Sequence, residues 1–187
     1  MRFSDFLIML ALLTGTAAAQ SPAEITEIAK GFYSDDISLC VFDISLCVFD
    51  PALSDADLAA LTRVNDGAHP WRQVSTWRVL HAGETVGAVF VDNVKGKARP
   101  ITYLVAFDMN GEILGLEILR YRESHGGEIR SPMFRGQFEG KSYASTLRVG
   151  KDIRNISGAT ISSRAVTRGA RALATFMHLL RQEGRLQ

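Results

Sequence analysis

Between Trp77 and Leu119 the chain repeats one pattern four times: a short β-rich run, then turn residues. Nothing else in the sequence restricts the fold as strongly. The runs are Trp77 to His81, Thr85 to Val91, Ile101 to Phe107 and Ile113 to Leu119, separated by Gly, Asn and Asp. Asn110-Gly111 is a hairpin signal. Connections this short join strands antiparallel, so a meander is expected. A polar, Gly-rich stretch from Arg120 to Arg130 follows and suits neither a strand interior nor a core. From Ser162 to Gln182 the period changes to that of a helix, with Ala165, Gly169, Ala172, Leu173, Phe176 and Leu180 on one face. Arg164, Arg168 and Arg171 gather on another, as a solvated face or a docking surface. Two shorter helices are expected earlier: Pro22 to Lys30, and residues 54–66, where Ser54 and Asp57 stand at capping-box positions. The fold class is α+β, a twisted and mainly antiparallel sheet with flanking helices.

The chain has 187 residues, 47% apolar and 22% charged, which suits one domain and argues against disorder. Phe6 to Leu13 is apolar, and Ala17-Ala18-Ala19 precedes Gln20 as a small-residue cleavage site. Residues 1–19 read as a signal peptide, leaving 20–187 as a single exported, periplasmic domain. Arg2 is offset by Asp5, so an uncleaved anchor is the alternative. Charge is lopsided: from Arg120 onward there are 13 Lys/Arg against 5 Asp/Glu, net +8, while residues 1–119 hold 8 against 15, net −7. A basic C-terminal half suits a phosphate-bearing cofactor or an anionic partner. Export and the lack of any nucleic-acid motif argue against nucleic acid. Cys40 and Cys47 fall in a perfect tandem repeat, Asp36 to Phe42 and Asp43 to Phe49. A duplication by slippage, or a sequence artefact, explains that repeat, and we assign the cysteines no function. Two Cys and four scattered His make no metal spacing.

The segment Ser157-Gly158-Ala159-Thr160-Ile161 leads into the last helix. Gly158 permits close backbone approach to a ligand, and Ser157 is a natural N-cap residue. Unpaired N–H groups and the helix dipole at such a start favour an anion, so a phosphate ester on Thr160 would be held there. The plainer reading is an ordinary capped helix after a small-residue turn.

This Ser-Gly-Ala-Thr core resembles the flavinylation motif of the FMN-binding domain family. Members of that family include subunits of sodium-pumping NADH:quinone oxidoreductases and Rnf-type complexes. The resemblance spans about residues 80–175 and includes a turn like Asp108 to Ile113 and a loop like Glu123-Ser124-His125-Gly126. It implies FMN attached to Thr160 through a phosphodiester, with Ser157, Gly158, Ala159 and Ile161 around the attachment. It also implies that Glu123, Ser124, His125, Gly126 and Gly127 form the loop against the flavin ring. His125 replaces a more familiar Pro. Many members carry Asp three residues before the motif Ser; here that position is Arg154, and the nearest acid is Asp152. This departure bears on recognition by a flavin transferase.

No base in the sequence near Thr160 is arranged to activate its hydroxyl. The resemblance implies a separate magnesium-dependent flavin transferase using FAD. The ester would retain one negative charge, for which Arg154, Arg164 and Arg168 are the candidate counter-charges in the sequence. There is no haem motif, no four-Cys cluster pattern and no Gly-x-Gly-x-x-Gly signature. We assign no catalytic residues. The expected function is an electron relay between redox partners, membrane-bound proteins among them. The alternatives are a non-redox sensory or partner-binding module and a small flavin-dependent reductase.

Overall fold

A computed structural model describes residues 21–33, 44–48, 54–64 and 74–186. The expected signal peptide, the first copy of the repeat and Cys40 lie outside the described residues. In chain order the elements are α1 (Pro22–Tyr33), β1 (Ile44–Val48), α2 (Asp55–Val64), β2 (Ser75–His81), β3 (Glu84–Lys95), β4 (Pro100–Asp108) and β5 (Ile113–Tyr121). A 3₁₀ turn (Gly127–Arg130), the short α3 (Pro132–Arg135) and a second 3₁₀ turn (Gly136–Phe138) follow, and α4 (Thr160–Gln182) ends the fold.

The five strands form one antiparallel sheet in chain order, β1-β2-β3-β4-β5. The expected meander is β2 to β5, and the second copy of the repeat supplies β1, where the backbone of Cys47 faces that of Arg78. Ala82 and Gly83 turn β2 into β3, both at positive φ. The Asn110-Gly111 signal does mark a hairpin, but positive φ falls on Gly111 alone (+82°). Asp108 closes that turn, with its Oδ1 accepting from the N–H of Asn110 (2.9 Å) and Glu112 (2.8 Å).

Strand side chains alternate between faces, and both faces are covered. On one, Val89, Leu104 and Ala106 pack with Ile25, Ala29 and Tyr33, successive core positions of α1. Tyr33 lays its hydroxyl across the sheet, donating to the Phe107 carbonyl at 2.6 Å. On the other face Phe90, Tyr103, Val105 and Phe107 pack with Val166, Ala170, Leu173 and Phe176 of α4. All six expected core positions of this helix are buried. Gly169 is what lets α4 lie so close: a Cβ there would fall 2.2 Å from the Tyr103 hydroxyl. That hydroxyl donates to Asp92 Oδ2 at 2.7 Å, and burial raises its pKa well above the usual tyrosine value.

The expected capping box is present at α2, reciprocal between Ser54 and Asp57. A second one, Ser21 with Glu24, starts α1. Arg185, beyond α4, reaches back to Asp57 at 2.9 Å and ties the chain end to α2. Among the described residues no helix is long and apolar enough to cross a membrane.

Candidate functional site

Tyr121 ends β5 and fixes what comes after it. Its hydroxyl donates to the His125 carbonyl, folding the chain back over residues 122–126. That hydroxyl has one proton, so the Ser162 hydroxyl, 2.9 Å away, donates to it. The loop after β5 is thereby joined to the first turn of α4. Gly126 completes the junction at φ +88°. A Cβ on Gly126 would sit 2.6 Å from Tyr121 Oη and 3.3 Å from Ala159 Cα. The two sequence motifs, more than 30 residues apart, thus meet backbone to backbone.

The positions within the loop divide. Ser124, His125 and Gly127 are exposed, and Gly126 is buried. The carboxylate of Glu123 is engaged away from the loop, where its Oε1 accepts from the N–H of Ala98 (2.7 Å) and Arg99 (3.0 Å), clamping the turn between β3 and β4. The Arg99 N–H, then that of Ala98, holds its pKa below the ordinary glutamate value. Glu123 anchors the base of the loop.

The approach to Thr160 is built around Asp152. Its carboxylate accepts from the N–H groups of Leu147 (2.9 Å) and Arg148 (2.8 Å), with Lys141 Nζ at 3.9 Å. Burial opposes ionisation, but the Arg148 and Leu147 N–H groups outweigh it and the pKa is lowered. Asp152 therefore shapes the loop, and its acid is not available to stand in for the one that Arg154 replaces. The N–H of Arg154 donates to Gln137 Oε1 at 2.7 Å. A turn then runs from Ile156 to Ala159, closed by the Ala159 N–H on the Ile156 carbonyl at 3.1 Å, with Gly158 at φ +82°.

This turn corrects the expectation for Ser157. The residue at the N-cap of α4 is Ala159, which offers no side-chain acceptor, and Ser157 is exposed in the turn before it. Ser157 cannot cap because the turn inserts Gly158 and Ala159 between it and the first helical residue. The consequence favours an anion more than the expected cap would: α4 begins with no side chain occupying its free N–H groups.

Thr160 is the first residue of α4 and half-buried. Its Oγ1 accepts from Asn155 Nδ2 at 2.9 Å, which leaves its own O–H available. Asn155 also lines an open recess of about 720 Å³ with Met133, Gln137, Lys151 and Arg154, within the size range of cofactor sites. Lys151 and Arg154 set two cations against the one carboxylate of Asp152, which also lines it, and the 76% exposed Met133 adds an apolar surface. Ile161, next to Thr160, is 52% exposed, unusual for an isoleucine. Thr160 itself does not line the recess and is linked to it through Asn155; Gly126 of the 123–127 loop meets Ala159, and none of the loop residues lines the recess. Arg164 and Arg168 lie farther along α4, exposed.

Sequence reasoning missed Tyr121, Asn155, Gln137 and Met133. Asn155 had a signal, since a side-chain amide five residues before Thr160 can fold back across a turn. The other three act over distances that no local pattern reports.

Residues 96–175 match the family model of the FMN-binding domain. The G subunit of the proton-translocating ferredoxin:NAD(+) oxidoreductase complex of Clostridium ljungdahlii is 34% identical over 104 residues, covering 51% of this chain and 56% of that protein. The G subunit of the ion-translocating oxidoreductase complex of Stutzerimonas stutzeri is 30% identical over 107 residues, covering 51% of this chain and 47% of that protein. The chain spans about half the length of the curated relatives it matches.

Proposed function

Through residues 96–175 the chain belongs to the FMN-binding domain family, and from that premise we propose that it carries FMN as a phosphodiester on Thr160 and relays electrons between redox proteins. The observation that carries the proposal is the setting of Thr160: a hydroxyl at an uncapped helix start, held by Asn155, which itself lines a recess with Lys151 and Arg154. These residues fit the group. The free N–H groups at the start of α4 and the two cations suit a phosphate ester. Gly126, with no side chain between it and Ala159, keeps the neighbouring backbone low.

Bound FMN would supply one- and two-electron transfer; the chain supplies place and field. Thr160 provides the attachment oxygen, and Asn155 sets its orientation. Lys151 and Arg154 offset the negative charge that the ester retains. Ser124, His125, Gly126 and Gly127 form the wall offered to the ring, and Tyr121 holds that wall against α4. Glu123 contributes by anchoring the loop, not by direct contact. Ser157, Gly158, Ala159 and Ile161 set the turn and the helix start from which Thr160 projects.

Attachment would require a flavin transferase acting on FAD. Thr160 would supply the oxygen that replaces AMP on the FMN phosphorus, with the pyrophosphate bond of FAD broken, AMP as the leaving group and the hydroxyl proton released to solvent. The same reading places the protein outside the cytoplasm, where a tether replaces resupply of free flavin, and takes residues 20–187 as one domain. Its partners would be redox proteins, membrane-bound ones among them, as the complexes named for the two relatives suggest.

Co-expression with an active transferase tests the proposal. The purified protein should be yellow after denaturation, and a flavin-bearing peptide should map to residues 157–163. Thr160→Ala should be colourless and folded. A colourless wild type, with the transferase verified on a control substrate, would overturn the flavin reading in favour of a partner-binding module.

A further inference from the structure

A second recess lies along α4 and shares no lining residue with the first. It holds about 200 Å³ and is lined by Arg148, Arg164, Thr167, Arg168 and Arg171, with Leu147 and Val149. Thr160 does not line it, and Thr160 and Thr167 are seven residues apart, about 10 Å along the helix axis; Arg164, one turn on from Thr160, is its nearest residue in the helix.

Two independent observations mark it. Arg148, Arg164 and Arg168 line one small space, and among the described residues no carboxylate pairs with any of the three; Arg171, also at its edge, has a partner of its own. Like charges gathered this way repel unless an anion lies among them. The second is Thr167, 2% exposed, whose buried hydroxyl has no hydrogen-bond partner. Buried hydroxyls are ordinarily satisfied. An oxyanion would answer both: it accepts from planar guanidinium forks and from a hydroxyl. The space is smaller than an ordinary cofactor pocket, and its charge and size suit one tetrahedral oxyanion.

We propose that this recess binds a phosphate group, separate from the ester at Thr160. The group comes either from free phosphate or from the headgroup of an anionic phospholipid. The second source would seat α4 against a membrane surface.

The full chain carrying Thr160→Ala provides the test, since it has no ester and its result is independent of the flavin reading. Titration with inorganic phosphate, followed by amide NMR, should give saturable shifts at residues 147–149 and 164–171. Chloride at matched ionic strength should not reproduce them. The Arg164→Gln/Arg168→Gln double variant, altered only at exposed positions, should bind at least about tenfold more weakly. Thr167→Val, which keeps the side-chain shape, should bind about threefold more weakly. Shifts that never saturate, equal shifts with chloride, or undiminished affinity in the arginine variant would overturn the proposal and leave a diffuse basic patch. Sedimentation with phosphatidylglycerol vesicles, against phosphatidylcholine controls, separates the sources. Retention lost in the arginine variant assigns the headgroup, and phosphate binding without retention assigns the free ion.

Discussion

The hydroxyls of Tyr121 and Ser162 meet at 2.9 Å, a contact between side chains that joins the loop after β5 to the helix bearing Thr160. The Tyr121 hydroxyl also holds the His125 carbonyl, so a single oxygen sets both the shape of the loop and its position.

Tyr121→Phe should therefore leave the fold intact but loosen this junction. The change strands the buried Ser162 hydroxyl, and a lost hydrogen bond of this kind costs about 1 kcal/mol. Urea denaturation should show that loss. Amide exchange should quicken at residues 124–127 and stay unchanged in β3 and β4.

Gly126→Ala should do more local damage than Gly158→Ala. Both have positive φ, which strains any L side chain by roughly 1–2 kcal/mol. Only at Gly126 would the new Cβ also collide, 2.6 Å from Tyr121 Oη; at Gly158 nothing lies within 4 Å. Under identical co-expression Gly126→Ala should incorporate less flavin than Gly158→Ala. Equal yields would show that the loop does not serve the site.

Asp57 supplies a pH-dependent part of the stability. Burial alone would raise its pKa, but the Ser54 N–H and hydroxyl and the Arg185 guanidinium together hold it below the ordinary value. A depressed folded-state pKa means stabilisation that is complete above the unfolded value of about 4 and lost as pH falls through the folded one. Asp57→Asn should lose about 1–3 kcal/mol at neutral pH. The gap from wild type should narrow below about pH 4, as denaturation at several pH values would show.

Gly169→Ala should destabilise the protein by about 1–3 kcal/mol although alanine is the better helix former. The methyl would fall 2.2 Å from the Tyr103 hydroxyl and 2.7 Å from Val94 Cγ1, and Tyr103 is fully buried. An unchanged or raised denaturation midpoint would contradict this packing.

Deletion of Asp43 to Phe49 should leave a folded protein, because the remaining copy has the same sequence and can supply the Ile-Ser-Leu-Cys-Val strand beside β2. Circular dichroism and the denaturation midpoint should match the parent. Failure to fold would show that both copies are structural.

Period and turn chemistry made the meander, α2 and α4 legible, because each is encoded by residues close together in sequence. The juxtaposition of the two motifs followed only from resemblance; Tyr121 achieves it physically across 41 positions, which no window of sequence reveals. Ser157 illustrates the opposite difficulty. It has the right chemistry for an N-cap, but a tight turn through Gly158 moves the cap to a residue with no capping group. Glu123 was legible as a loop residue and not as a clamp, since the N–H groups it accepts from, those of Ala98 and Arg99, lie two strands back.

Nine residues separate Gly169 from Thr160, about two and a half turns of α4. A half turn left over is a rotation of about 180°. Pressing the bare side of the helix onto Tyr103 therefore points Thr160 away from the sheet. The glycine acts as an angular index: it admits one azimuth for the whole rod and thereby aims a hydroxyl it never touches. A methyl at that position that merely rolled the helix, without unfolding it, would re-aim the attachment oxygen while leaving every residue around it unchanged.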